Sequence, residues 1–432
     1  MMHRASFAAC ASLAATLCLG ADPMPFVPGA PGAIVLHAAR LLDVAGGRTV
    51  APGEVLVEGQ RITAAGSAVP HPAGAQVIDL GDATLMPGLI DVHVHLFLHP
   101  GAEDLQTVVE SVPKRTIIAL MAARDDLMAG FTSERDMGTE GAGSADSAVR
   151  DAINEGLAHG PRLRVSGNAI DILGGHEDAN RYNPAQHVLS NASYANDAAQ
   201  LVEVIRAQRK EGSDFVKIYE TGKDSVVGDD LRAPYQYTVA QLRAAVEEAA
   251  RTGTDVATHA SSDPGARYAA EAGVASIEHA TEIGTDTMRL MKEKGIFAVP
   301  TFAVYEYFAE HAATPEASKS EHAQLAIKIR EFRRQLAAGV PMAAGSDVGP
   351  FPHGTQAREY ELMGQYGMPA ADVLRAGLIN GARLMGLAGQ VGELKAGYLA
   401  DIIAVPGDPL ADLGVLGRVR FVMKGGDIVR RP

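Results

Sequence analysis

Hydrophobic and polar positions change rhythm twice along the chain. From Ala33 to about Leu85, short apolar runs are broken by Gly and Pro: Ile34–Leu36, Glu54–Val57, Arg61–Ala64 and Gln76–Leu80. Runs so bounded predict brief β-strands. The stretch from Asp401 to Val429 repeats the pattern at Asp401–Val405, Val419–Met423 and Asp427–Val429. The middle, roughly Gly88 to Gly386, instead alternates apolar strands with amphipathic helices. Val239, Leu242, Val246 and Ala249 fall on one helical stripe, and Gly253 stops it. A strand over Thr254–Ala260 follows at once. Next come a helix over Pro264–Ala272, a strand over Ala275–His279, a helix over Thr285–Lys294 and a strand over Ile296–Thr301.

Strand–helix alternation sustained for about 300 residues predicts a parallel sheet, and that length suits a closed (β/α)8 barrel of the TIM type. A doubly wound open sheet is the rival, but no G-x-G-x-x-G opens the first unit. The expected organisation is an α/β protein with a barrel over 87–389. Segments 33–86 and 390–431 would join as a small, discontinuous β-sandwich domain, although sequence order does not show that the ends pair.

The first residues read differently. Met1–Arg4 carries positive charge, Ala5–Leu19 is apolar, and Gly20 and Ala21 are small. This predicts a signal peptide over 1–21, an exported protein (periplasmic or secreted) and no membrane span in the mature chain. Cys10 and Cys18, the two cysteines, both lie in this leader, so thiolate ligation is excluded from the mature protein. With 38 Lys and Arg against 52 Asp and Glu, the chain lacks the basic excess that a nucleic-acid partner requires.

Candidate chemistry sits at the ends of the expected strands. In Asp91-Val92-His93-Val94-His95, residues two apart share a face, so His93 and His95 project together. Two imidazoles on one inward face suit zinc or a similar divalent cation. His259 closes one strand, His279 closes the next 20 residues later, and Asp347 follows the apolar Val340–Ala344. Barrel active sites gather at strand C-terminal ends, so these positions read as one site. Lys217 lies in the apolar run Phe215–Tyr219. Burial favours its neutral amine, which can add CO2 and become a carbamate able to bridge two cations. His37, His71, His99, His159, His187, His311 and His322 are read as structural.

The set His93-x-His95, Lys217, His259, His279 and Asp347 resembles the amidohydrolase superfamily, in its binuclear form with a carboxylated lysine. Met86-Pro-Gly-Leu-Ile-Asp before the histidine pair agrees, as do Gly392-Glu-Leu-Lys-Ala-Gly397 and Gly407-Asp-Pro-Leu410 near the other end. Within that superfamily, Gly174-Gly175-His176, Tyr237-Thr238 and His353-Gly354 resemble the prolidase-like branch, which includes ochratoxin-hydrolysing amidohydrolases. The resemblance implies that His93, His95 and Asp347 hold the more buried of two zinc-like ions, and His259 and His279 the more exposed one. It further implies that N6-carboxylated Lys217 bridges them, that a hydroxide between the cations attacks, and that Asp347 shuttles its proton. His176 would stabilise the oxyanion, with Tyr237 and His353 contacting substrate. Lys223 and Arg232, in the loop Glu220–Pro234, are alternative readers of a substrate carboxylate. The implied substrate is a small molecule or dipeptide with a carboxylate, cleaved at a C–N amide bond. A lactonase or cyclic-amide hydrolase on the same site is an alternative, as is a periplasmic metal-binding protein without catalysis. Assembly into a homo-oligomer is common in the group and is not readable from the pattern.

Overall fold

The two ends of the chain meet in one sheet. In the computed structural model, which describes residues 32–178, 183, 185–186 and 188–431, strand Ile402–Pro406 runs antiparallel to Ala83–Pro87, with Ile402 opposite Pro87 and Ala404 opposite Leu85. Around this pair the six-stranded sheet has the order Asp427–Arg430, Phe421–Lys424, Ile402–Pro406, Ala83–Pro87, Arg40–Asp43, Arg48–Val50. A four-stranded sheet, Arg61–Gly66, Gly53–Glu58, Ile34–Ala38 and Gln76–Asp79, shares its apolar core. Leu36, Val55, Ile62, Leu85, Ile402, Phe421 and Met423 form that core. Ala83–Pro87 is a strand that alternation cannot reveal, because all five residues are buried. The leader 1–21 with Cys10 and Cys18, and likewise His187, lie outside the described residues.

The middle of the chain is mixed α/β, and its helices form where the apolar stripe and caps agree. Thr238 caps Val239–Arg251 by accepting from the Gln241 backbone N–H, while the Gln241 side chain reaches back. Leu242, Ala245 and Ala249 of this helix are buried, and Gly253 beyond it adopts φ 77°. Parallel strands fall into two groups. One orders Arg162–Val165, Phe131–Asp136 and Leu89–Val94; the other orders Ser193–Tyr194, Ile170–Asp171, Val216–Tyr219, Val256–Ser262, Ser276–Glu282 and Phe297–Val299.

The ladders do not close into the expected single eight-stranded ring. At one seam the Asp214 N–H donates to Val165 O at 2.6 Å. At the other, Val92 N–H donates to Ala344 O at 3.1 Å and His95 N–H to Val348 O at 2.8 Å. The segment carrying Asp347 cannot run as a regular strand, because Asp347 itself sits at φ 62°. It nonetheless lies tightly against its neighbour. A Cβ on Gly345 would fall 2.7 Å from His93 Cβ and 2.6 Å from Val299 Cγ1, so only glycine permits this approach. Among the described residues, no helix is long and apolar enough to cross a membrane.

A half-buried ion pair ties the end-built sheet to the parallel strands. Arg162 donates to both carboxylate oxygens of Asp401, at 2.7 and 3.0 Å, and Asp401 also accepts from Gly425 N–H. The Asp401 side chain is 2% exposed. Removing one partner of such a pair leaves the other uncompensated. Asp401→Ala is therefore expected to lose about 1–3 kcal/mol of stability. A urea midpoint equal to that of the parent protein would show that the pair is not the tether.

Candidate metal and active site

A cavity of about 390 Å³ opens where the parallel strands end. His93 and His95 come from the end of Leu89–Val94 and the residue after it, and both reach the same wall. Lys217, His259 and His279 enter from three adjacent strands, with Tyr219 paired to His259 and Ala260 paired to His279. Asp347 completes the ring, its N–H donating to His93 O at 2.8 Å. His176 lines the cavity too, its ring 4.2 Å from that of His259 and stacked on Tyr219 at 5.0 Å. The structure thus brings together all six residues read as ligands, plus His176.

Their atoms converge. His93 Nε2 and His95 Nε2 lie 3.4 and 3.3 Å from the same oxygen, Oδ1 of Asp347. Potential ligand atoms of His93, His279 and Asp347 all fall within 4.8 Å of one another. The His259 and His279 rings are 4.5 Å apart, and His259 Nε2 is buried without a hydrogen-bond partner among the described residues. A buried nitrogen lone pair facing an imidazole cluster and a carboxylate is the donor set that a divalent cation satisfies.

Electrostatics favour ligand-competent forms. Burial holds the His259 and His279 imidazoles well below the ordinary histidine range, reinforced at His259 by His176. Burial also pulls the Lys217 ammonium down, against the opposing pull of Glu278 and Asp347. For Asp347 burial pushes upward, but His93 and His95 outweigh it and hold the carboxyl well below its usual value.

The residues behind the ligands were not visible in the sequence. His93 Nδ1 is 2.9 Å from Glu278 Oε2, and Arg135 donates to Glu278 Oε1 at 2.8 Å. All three are fully buried. Burial pushes the Glu278 carboxyl up, yet Arg135 and His93 draw it down to about 2. His95 Nδ1 lies 3.0 Å from Glu140, and His279 Nδ1 2.8 Å from Thr301 Oγ1. At His93 and His279 the second ring nitrogen is hydrogen-bonded, which fixes the ring and leaves Nε2 toward the cavity, while at His95 the Glu140 carboxylate stands close without a hydrogen bond. No local motif announces Glu140, Glu278 or Thr301; each is recognised only through a partner distant in sequence.

Two expected substrate contacts do not reach the cavity. Tyr237 is fully buried, and its hydroxyl donates to Ala195 O at 2.8 Å in the core. His353 lies behind His95, with Nδ1 2.7 Å from Asp126, whose fully buried carboxylate holds it there. Arg232 is likewise absent from the lining and pairs with Asp230. Lys223 does line the cavity. His99 is paired with Glu110 and stands outside it, as expected of a structural histidine.

The amidohydrolase family model matches residues 84–429, so this chain belongs to the amidohydrolase family. It is 30% identical to ochratoxinase of Aspergillus niger over 376 residues, 81% of this chain and 76% of that protein. The solved structure of a Xaa-Pro dipeptidase with bound methionine superposes with a TM-score of 0.84 at 30% identity, covering 92% of this chain and all of that one. A prolidase complexed with N-methylphosphonate-L-proline gives 0.83 at 28%, covering 93% and 100%. The chain is accordingly a hydrolytic enzyme acting on amide bonds, in a family that generally binds divalent metals.

The Glu278–His93 contact generates a direct expectation. Glu278→Gln keeps the shape but removes the charge that orients His93. Metal affinity is expected to fall about 10- to 100-fold, measured by competition with a chromogenic chelator. Undiminished affinity would make Glu278 a packing residue only.

Proposed function

We propose that this enzyme is a binuclear metal-dependent hydrolase of C–N amide bonds in small carboxylate-bearing substrates. Xaa-Pro-type dipeptides and N-acyl amino acids are the expected substrates, with ochratoxin-like phenylalanyl amides as a related case. The observation that carries this reading is the convergence of two imidazole nitrogens on one Asp347 oxygen beside the His259–His279 pair. The similarity to ochratoxinase and to a Xaa-Pro dipeptidase supports it. On the same resemblance we take the two groups of parallel strands as arcs of one TIM-type barrel. The leader pattern of residues 1–21 supports export.

In this reading His93, His95 and Asp347 would hold one cation and His259 and His279 the other, and a carboxylated Lys217 would serve both as an anionic ligand. Lys217 is 1% exposed, and its ammonium stands 4.8 Å from the Tyr219 ring centroid. Nitrogen and oxygen donors of this kind suit zinc, which when bound polarises a carbonyl and lowers the pKa of a coordinated water. The side chains do the rest. Asp347 accepts the attacking water's proton at its carboxylate and returns it to the leaving nitrogen. His176, whose Nδ1 has no hydrogen-bond partner among the described residues, supplies a donor to the carbonyl oxygen as charge develops there. Lys223, the cation of the lining beside Lys217, pairs with the substrate carboxylate in place of the buried Tyr237. Leu98, Val304, Phe308 and Pro350 offer an apolar wall for the substrate side chain.

A hydrolysis panel tests the activity. Metal-loaded enzyme is expected to cleave Xaa-Pro dipeptides or N-acyl-phenylalanines at least about tenfold faster than lactones or carboxylate-blocked analogues. Lactones turned over preferentially would overturn the amidase reading, and blocked analogues cleaved equally well would remove the role of Lys223. Separately, Lys217→Ala is expected to lower bound metal from about two ions per chain to one or fewer by elemental analysis. A fully loaded, active variant would sink the bridge.

A further inference from the structure

The strand Ser276–Glu282 does something unusual at the residue that matters most in it. Opposite Ala260–Ser262 it places His279–Glu282, so three steps on one strand answer two on the other. This is a β-bulge beside the cavity, and bulges re-aim side chains at such positions. The bulge is built from two consecutive left-handed residues, His279 at φ 67° and Ala280 at φ 41°. Neither is glycine, so the conformation is strained and must be held by its surroundings. It also turns two buried carbonyls out of the ladder, and each of those needs a donor.

Both donors come from one helix far along the chain. Pro315–Ala338 buries Lys328, Phe332 and Gln335 on a single face. Lys328 Nζ donates to His279 O at 3.0 Å and to Thr281 Oγ1 at 3.1 Å. Gln335 Nε2 donates to Ala280 O at 2.6 Å. The Lys328 side chain is 2% exposed and its ammonium stands 4.2 Å from the Tyr305 ring centroid, so it is sequestered from solvent. A buried lysine is costly unless its donors are used, and here they are used on the bulge.

We infer that Lys328 and Gln335 are positioning residues that clamp the His279–Ala280 bulge and thereby aim the His279 imidazole into the cavity. Thr301 completes the arrangement from the other side, its hydroxyl 2.8 Å from His279 Nδ1 while its own backbone is left-handed at φ 53°. Neither clamp residue lines the cavity, so each acts on the site through His279. The inference rests on the reading of His279 as a cation ligand.

The test is titration of the metal-free protein with Co2+, followed by visible absorption, for Lys328→Met, Gln335→Leu, Ile327→Ala and His279→Ala. Lys328→Met and Gln335→Leu are expected to stay folded by circular dichroism, to bind the weaker Co2+ at least about tenfold less tightly, and to change its absorption band. Ile327→Ala removes a buried apolar side chain of the same helix while leaving both bulge hydrogen-bond donors in place. It is expected to lose thermal stability while keeping affinity and spectrum. Lys328→Met added to His279→Ala is expected to cost nothing further, because both act at one point. Parent-like Co2+ affinity and spectrum in Lys328→Met and Gln335→Leu would overturn the clamp while leaving the proposed function standing. If Lys328→Met fails to fold, Gln335→Leu alone decides by the same readouts. If His279→Ala itself binds Co2+ as the parent does, the ligand assignment fails first, and the clamp with it.

Discussion

The site is organised by a single crowded point: Oδ1 of Asp347, approached from two sides by the Nε2 atoms of His93 and His95. Lone pairs and an anion do not gather in a buried space unless protons or a cation hold them together. The surrounding backbone is shaped to make that gathering possible. Gly345 lets the Asp347 segment lie against His93, and the His93–Asp347 backbone hydrogen bond registers the two. Behind the imidazoles, Glu140 and the Arg135–Glu278 pair supply the charges that keep the rings facing inward.

Strain is concentrated at this point. Among the described residues, five that are not glycine have left-handed backbones: Glu140, His279, Ala280, Thr301 and Asp347. Three line the cavity, Ala280 follows one of those, and Thr301 bonds to His279. Each such residue costs of order 1–3 kcal/mol, so the fold spends stability here to set directions that regular strands do not offer. The compensation is local and polar: hydrogen bonds from buried side chains to the carbonyls that the turns expose.

The sequence made the centre of the site legible and its support opaque. His93 and His95 are readable because period two places both on one face, and His259 and His279 because each ends an apolar run before a helix. Asp347 is readable by its position after Val340–Ala344. Tyr237 is expected to contact substrate only through the family resemblance, yet the depth of a residue depends on its surroundings, and its hydroxyl is spent on Ala195 O in the core. His353 likewise has its partner, Asp126, 227 residues earlier in the chain. The helix–strand units between Val239 and Thr301 were legible from their stripes, whereas Ala83–Pro87, buried on both faces, left no alternation to read. The expected continuous ring met backbone turns at Asp347 that no apolar pattern records.

The pairing of the chain's two ends also bears on how the enzyme is made. Ala83–Pro87 leads through one residue, Gly88, into the strand that presents His93. Its neighbour Ile402–Pro406 emerges from the ribosome roughly 300 residues later, and ladders between such distant segments are slow to form. Until then, one edge of Ala83–Pro87 is an unpaired apolar template, open to pairing with any other nascent chain. The first histidine strand therefore waits on a partner that lies far downstream in the chain. Completion of the active site is thereby coupled to a strand pairing between segments far apart in the chain.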